Sequence, residues 1–243
     1  MSYRFEPVPE TSEAEGASLL PTVTQSIVRQ AAERTGMALH DQKTGRRISY
    51  HQLASATRHA AKALALRGFQ KGQVVCLYSP NLPEYAVAVL AVTLAGGVVT
   101  LAVPTLEPEL LARQLAATHS QWLVTTKRHL SKALLAASQT AVRHVYSFDP
   151  ALGAQHIGEL FETIIADDER PTEALLDPQR DLMAWLFDET EPGTRYPHAA
   201  VAALLQARAW PANPLEIKGA SLAQAEVLWD WLAALQHGMT VLI

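Results

Sequence analysis

At 243 residues with 49% hydrophobic content, the chain is long enough to bury one large core or two small ones and is expected to fold as a globular protein. Its 24 Asp and Glu against 20 Lys and Arg, with no basic stripe, argue against nucleic acid as a partner. A single cysteine, Cys76, excludes an internal disulfide and a cysteine-rich zinc site, and fits a reducing cytoplasm.

Met1 to Gly16 is acidic and rich in Pro, Glu and Ser. It lacks the basic start and apolar core of a secretory signal, so residues 1–18 are expected to form a flexible tail. Thr22 to Thr35 is a helix candidate, followed by a short strand near Ala38 to His40 and a turn at Lys43-Thr44-Gly45. Ser49 is placed to cap the next helix, in which Leu53, Ala56, Ala60, Leu64 and Leu66 recur at near-helical spacing until Gly68 stops it. Val74 to Tyr78 is an apolar run of strand length. Asn81 is read as the N-cap of the following helix and Pro83 as part of its first turn. The 20 residues from Tyr85 to Pro104 carry no charge, a length close to that of a membrane span. Gly96 and Gly97 divide them into an Ala/Val/Leu half and a β-branched half, which reads as a buried helix and a buried strand, with no membrane partner expected.

Further along, Glu107 to Ala117 is read as helix, Trp122 to Thr125 as strand, Leu130 to Ala137 as helix and Val142 to Tyr146 as strand. This alternation predicts an α/β fold with a parallel-rich sheet flanked by helices. The expected layout is an N-terminal α/β subdomain over 19–166, a connector over 167–180 containing Pro171 and Pro178, and a partial second α/β subdomain over 181–243. The last of these holds a strand at Leu182 to Phe187, helices at Ala199 to Arg208 and Leu222 to Gln236, and a terminal strand at Met239 to Ile243.

Three segments then carry a resemblance. Lys71-Gly72-Gln73-Val74-Val75, Ser79-Pro80-Asn81-Leu82-Pro83-Glu84-Tyr85 and Ala95-Gly96-Gly97-Val98-Val99-Thr100 follow one another as in the adenylate-forming family, which includes acyl-CoA synthetases and 4-coumarate-CoA ligases. Thr44 to Tyr50, Pro104 to Leu111 and Trp122 to Thr125 also resemble that pattern. The likeness runs from about Thr22 to Ile243 and covers only the front part of such an enzyme, so it implies a truncated version of the family fold. Its motifs are turns, caps and packing positions, which imply fold more than chemistry.

The resemblance implies a phosphate-binding loop, rich in Ser, Thr and Gly and ending in Pro-Lys-Gly, after the Leu182 to Phe187 strand. What stands there is Asp188-Glu189-Thr190-Glu191-Pro192-Gly193-Thr194-Arg195-Tyr196-Pro197-His198. Thr190, Gly193 and Thr194 match the pattern, His198 matches a histidine at the start of the next helix, and the lysine has no counterpart. Arg195 is the nearest cation. A carboxylate held about 4 Å from a phosphate charge costs roughly 4 kcal/mol at an effective dielectric near 20, on the order of a thousandfold in affinity. Asp188, Glu189 and Glu191 therefore oppose ATP, and this degenerate loop is expected to be non-functional. The family's adenine and ribose contacts, hinge and catalytic lysine would all fall beyond Ile243, and its aromatic-His pair is absent from Pro214 to Gly219.

No catalytic residue, metal site or cofactor is expected. Asp188-Glu189-x-Glu191 suits a hard cation but is more simply a solvated acidic turn. The nine histidines show no zinc spacing, and no G-x-S-x-G elbow supports a hydrolase. Leu228, Trp231, Leu232 and Leu235 form an apolar helix stripe, whereas Trp229 points roughly 200° away from Trp231, so that helix is covered on two sides or exposes one indole. Trp229, Trp231, Val241 and Ile243 are the expected interface, with a second copy or another protein chain as partner. Three functions follow from the resemblance: a non-catalytic binding or assembly partner, a subunit of a split carboxylate-activating ligase, or an acyl- or aryl-acid binding protein.

Overall fold

The computed structural model describes residues 21–161, 174–187, 193–208, 214–217 and 221–243. The expected tail over 1–18 lies outside them, as do residues 167–173 of the expected connector.

Both early helices begin with reciprocal caps. At α1 (Val23–Glu33) the Thr22 hydroxyl accepts from the Gln25 N–H while the Gln25 side chain accepts from the Thr22 N–H. Ser49 and Gln52 repeat the arrangement at α2 (Tyr50–Leu66), so two otherwise orphaned donors are satisfied at each start. Between these helices β1 (Met37–His40) and β2 (Arg47–Ser49) pair antiparallel. The Asp41 carboxylate fastens their turn by accepting the N–H groups of Lys43 and Thr44.

The central elements are β3 (Val74–Tyr78), α3 (Pro83–Leu94) and β4 (Val98–Ala102). Asn81 does not cap α3. Leu82 holds the N-cap position without a side-chain bond, tolerable because Pro83 at the first turn has no N–H to satisfy. The Asn81 side-chain oxygen instead accepts the Leu222 N–H at 2.9 Å, tying this loop to a segment 141 residues away. A Cβ on Gly97 would lie 2.3 Å from the Phe69 ring, and Gly96 takes a φ of 82°. The glycine pair thus lets α3 turn at once into β4. Among the described residues no helix is long and apolar enough to cross a membrane.

The chain continues through α4 (Pro108–Ala117), β5 (Trp122–Thr125), α5 (Leu130–Ala137), β6 (His144–Ser147), β7 (Gln155–His156) and α6 (Gly158–Phe161). It then forms β8 (Leu182–Leu186), β9 (Thr194–Pro197), α7 (His198–Ala207), β10 (Leu215–Glu216), α8 (Ala225–Gln236) and β11 (Val241–Leu242). One sheet has the order β7-β6-β5-β3-β4-β8-β9, parallel except for the β8–β9 pair. Helices cover both faces: Val75 and Leu77 join the core with α2 and α3, whereas Cys76 and Tyr78 join the one with α4 and α5. Each buried Val or Leu contributes roughly 1.5–3 kcal/mol, and a one-residue slip would exchange the two sets, so the pairing register is strongly determined. Burial also pushes the Cys76 thiol pKa up, which leaves it an inert core residue.

The strands do not respect a boundary at 181. β8 extends the first sheet through β4, and β11 lies between β10 and β1 in a second sheet of order β10-β11-β1-β2. The terminal strand is therefore no open edge: Val241 is fully buried, and Ile243 donates to the His40 carbonyl while accepting from Gln42. Trp229 and Trp231 are 1% and 0% exposed, because α8 packs against α1, α7 and β11. Of the two arrangements open for α8, coverage on two sides is the one found. The expected interface of Trp229, Trp231, Val241 and Ile243 is thereby corrected, since three of the four are core and the fourth is backbone-paired. Arg34 secures this end by donating to the Leu235 carbonyl at 3.0 Å, and the Tyr50 hydroxyl donates to the Met239 carbonyl at 2.7 Å.

Candidate functional site

Open parallel sheets place ligands beyond the carboxyl ends of their strands. At that end of β4 and β8 the chain has a cleft of about 810 Å³, within the range of small-molecule sites. Leu101, Val103 and Leu106 form one wall, Leu186, Phe187 and Tyr196 another, and Ala223 to Val227, leading into α8, a third. The lining is mostly apolar. Gln114 reaches it from α4, but its amide already donates to Thr100 and to the Leu101 carbonyl. The one charged lining residue, Glu226, is paired with Arg208.

Described residues on either side of the degenerate loop reach this cleft. Phe187 and Thr194 line it, while Thr190 and the carboxylates of Asp188, Glu189 and Glu191 lie outside the described residues. Gly193 adopts a φ of 78°, and a Cβ there would lie 2.9 Å from the Leu186 carbonyl oxygen. Only glycine closes the β8–β9 connection this tightly.

Arg195 is separated from Thr194 by strand alternation. Leu186 pairs with Thr194 and Trp185 with Arg195, so successive residues of β9 face opposite sides of the sheet. Thr194 and Tyr196 face the cleft, the latter with its ring edge-on to Trp229 at 5.0 Å. The Arg195 guanidinium lies 4.0 Å from the Trp185 ring on the other side, so this cation is turned away from the cleft. No Lys, Arg or His lines the cleft among the described residues, and residues 188–192 contain none either.

His198 starts α7 and is 1% exposed, and neither ring nitrogen has a hydrogen-bond partner among the described residues. Burial pushes its pKa down to about 4, Asp181 opposing and Lys71 adding to the shift. At neutral pH it is therefore an uncharged packing group, unable to take the role of the missing lysine. Among the described residues no group of His, Cys, Asp and Glu could hold a metal.

Sequence reasoning missed Gln114, Tyr196 and the stretch from Ala223 to Val227 as lining residues. Period-two alternation within β9, which sets Thr194 and Tyr196 on one face and Arg195 on the other, could have found one of them. Nothing local could bring Ala223 to Leu106.

The family described as AMP-binding enzyme matches residues 27–187. The chain is 30% identical to a 4-coumarate–CoA ligase of Pinus taeda over 143 residues, 59% of this chain and 27% of that protein. It is likewise 30% identical to 4-coumarate–CoA ligase 5 of Oryza sativa subsp. japonica over 174 residues, 72% of this chain and 31% of that protein. The fold is similar to that of a benzoate CoA ligase from Burkholderia xenovorans, with a TM-score of 0.79 at 23% identity over 92% of this chain and 45% of that one. The chain thus spans less than a third of these curated relatives and under half of the solved one.

Proposed function

The chain belongs to the AMP-binding enzyme family, and from that membership we propose that it is a binding member of the family, taking an acyl- or aryl-type ligand in the apolar cleft and carrying out no ATP chemistry through its loop. The observation that carries this reading is the charge of the site. Neither the cleft lining among the described residues nor the five residues between Phe187 and Gly193 include a cation, whereas phosphate binding depends on cations or on glycine-rich backbone donors. The names of its relatives, 4-coumarate and benzoate ligases, suggest a planar aryl body as cargo, and Phe187 and Tyr196 are suited to one. Titration calorimetry with 4-coumarate tests this. Saturable binding that Ala225→Trp removes, by filling the cleft, is expected. No heat with 4-coumarate, benzoate or a medium-chain acid, or binding that ignores Ala225→Trp, would count against it.

A further inference from the structure

Two cationic side chains, Lys71 and Arg195, stand on the other side of the sheet. There Lys71, Val74, Val98, His119, Trp185 and Arg195 line a second cleft, of about 470 Å³, at the amino-terminal ends of β3 and β4. We propose that this second cleft is a binding site for a small carboxylate with a short apolar body, and that Arg195 receives its carboxylate. This inference is independent of the reading of the first cleft.

Three features support it. The first concerns which charge is available. Lys71 is already engaged, its ammonium 2.6 Å from Asp181 and donating to the Leu175 carbonyl at 3.0 Å. Arg195 forms no ion pair with a carboxylate among the described residues, and its guanidinium rests 4.0 Å from the centre of the Trp185 ring. A guanidinium stacked on an indole keeps its in-plane N–H donors outward, and that planar fork matches a carboxylate.

The second feature is pre-organisation. Trp185 and Arg195 are directly opposed across the β8–β9 pair, and Trp185 is only 8% exposed, clustered with Val74 and Val98. The indole is thus fixed from below, and the arginine loses less side-chain freedom on meeting an anion than a free surface arginine would. A structural reading, in which the cross-strand pair merely steadies β9, explains the stacking. It gives no reason for a cleft beside it.

The third feature is shape and polarity. Val74, Val98 and Leu182 give an apolar floor beside the cation, and Gln73, Thr118 and Gln121 a polar rim. Pockets of this size with apolar walls and a few convergent polar groups are typical of small-ligand sites. One cation without a carboxylate partner among the described residues, over such a floor, suits a monoanion with a hydrocarbon body better than a polyphosphate.

The test uses the full chain labelled with 5-fluorotryptophan and fluorine NMR, with the Trp185 signal assigned by Trp185→Phe. Hexanoate is expected to move the Trp185 signal saturably, and Arg195→Gln to weaken that response about tenfold or more. Hexanamide, of the same shape without the charge, is expected to bind about tenfold or more weakly to the unmodified protein, a comparison that stands even if Arg195→Gln folds poorly. Ala225→Trp, which fills the other cleft, should leave the Trp185 response intact. A missing response, an equal response to hexanamide, or one abolished by Ala225→Trp overturns the proposal.

Discussion

Protonation of His198 should destabilise this protein as the pH falls from neutral to mildly acidic. Its imidazole is buried with both nitrogens unpartnered among the described residues, and burial pushes its pKa down to about 4 from the ordinary 6.5. In the unfolded chain the ring regains the ordinary value, so below pH 6.5 the unfolded state binds the proton that the folded state refuses. The stabilisation from keeping His198 neutral is complete above pH 6.5 and is lost as the pH falls from 6.5 toward 4. Over that window the difference of about 2.5 pH units corresponds to about 3 kcal/mol, of which about 2 kcal/mol is lost between pH 7 and pH 5. Asp181, held below its ordinary pKa by its bond to Lys71 although burial opposes this, acts in the same direction, but only at pH values near and below 3.8. Urea unfolding at pH 7 and pH 5, on the native chain and on His198→Gln, measures the effect. The native chain should lose about 2 kcal/mol more than the variant over that interval. Equal losses would refute the reasoning, because the acid sensitivity would then come from other groups such as His129, whose pKa burial also lowers.

Gly97→Ala drives a Cβ to within 2.3 Å of the Phe69 ring and is expected to destabilise by about 1–3 kcal/mol, read from the denaturant midpoint; an unchanged midpoint would mean that Phe69 moves freely. Asn81→Ala leaves the Leu222 N–H without its 2.9 Å acceptor, at a cost of about 1–2 kcal/mol, and exchange of the Leu222 amide should quicken with it. In a chain whose other tryptophans are replaced by phenylalanine, Trp229 and Trp231 should both resist acrylamide quenching, since they are 1% and 0% exposed; free quenching of either would restore the surface expected from sequence.

Much of the fold was legible because the core is written locally. Val74 to Tyr78, Trp122 to Thr125 and Leu130 to Ala137 emerge with their expected ends, as short apolar runs closed by caps and turns. The cap at Ser49 is decided within three residues and was readable for the same reason, whereas Thr22, taken as the first residue of its helix, is the N-cap. Asn81 was misread because its side chain answers to Leu222, a distant donor that no window of sequence contains. The fate of β11 was hidden similarly: an apolar end looks like an open edge until β1 and β10 are known to flank it. At the candidate site the loss of a cation could be read directly from residues 188–192. The turning away of Arg195 needed the pairing register of β8 with β9, and the cleft needed the approach of Ala223 to Val227. Both depend on contacts between distant parts of the chain.

The central claim is that the loop after Phe187 no longer serves ATP. Titration calorimetry of the purified chain with ATP and magnesium tests it most directly. The lack of a cation in residues 188–192 and in the cleft's described lining predicts no saturable heat at micromolar to sub-millimolar ATP, with and without 4-coumarate present. A dissociation constant in the micromolar range, weakened by charge reversal within Asp188 to Glu191 or by loss of Gly193, would contradict it.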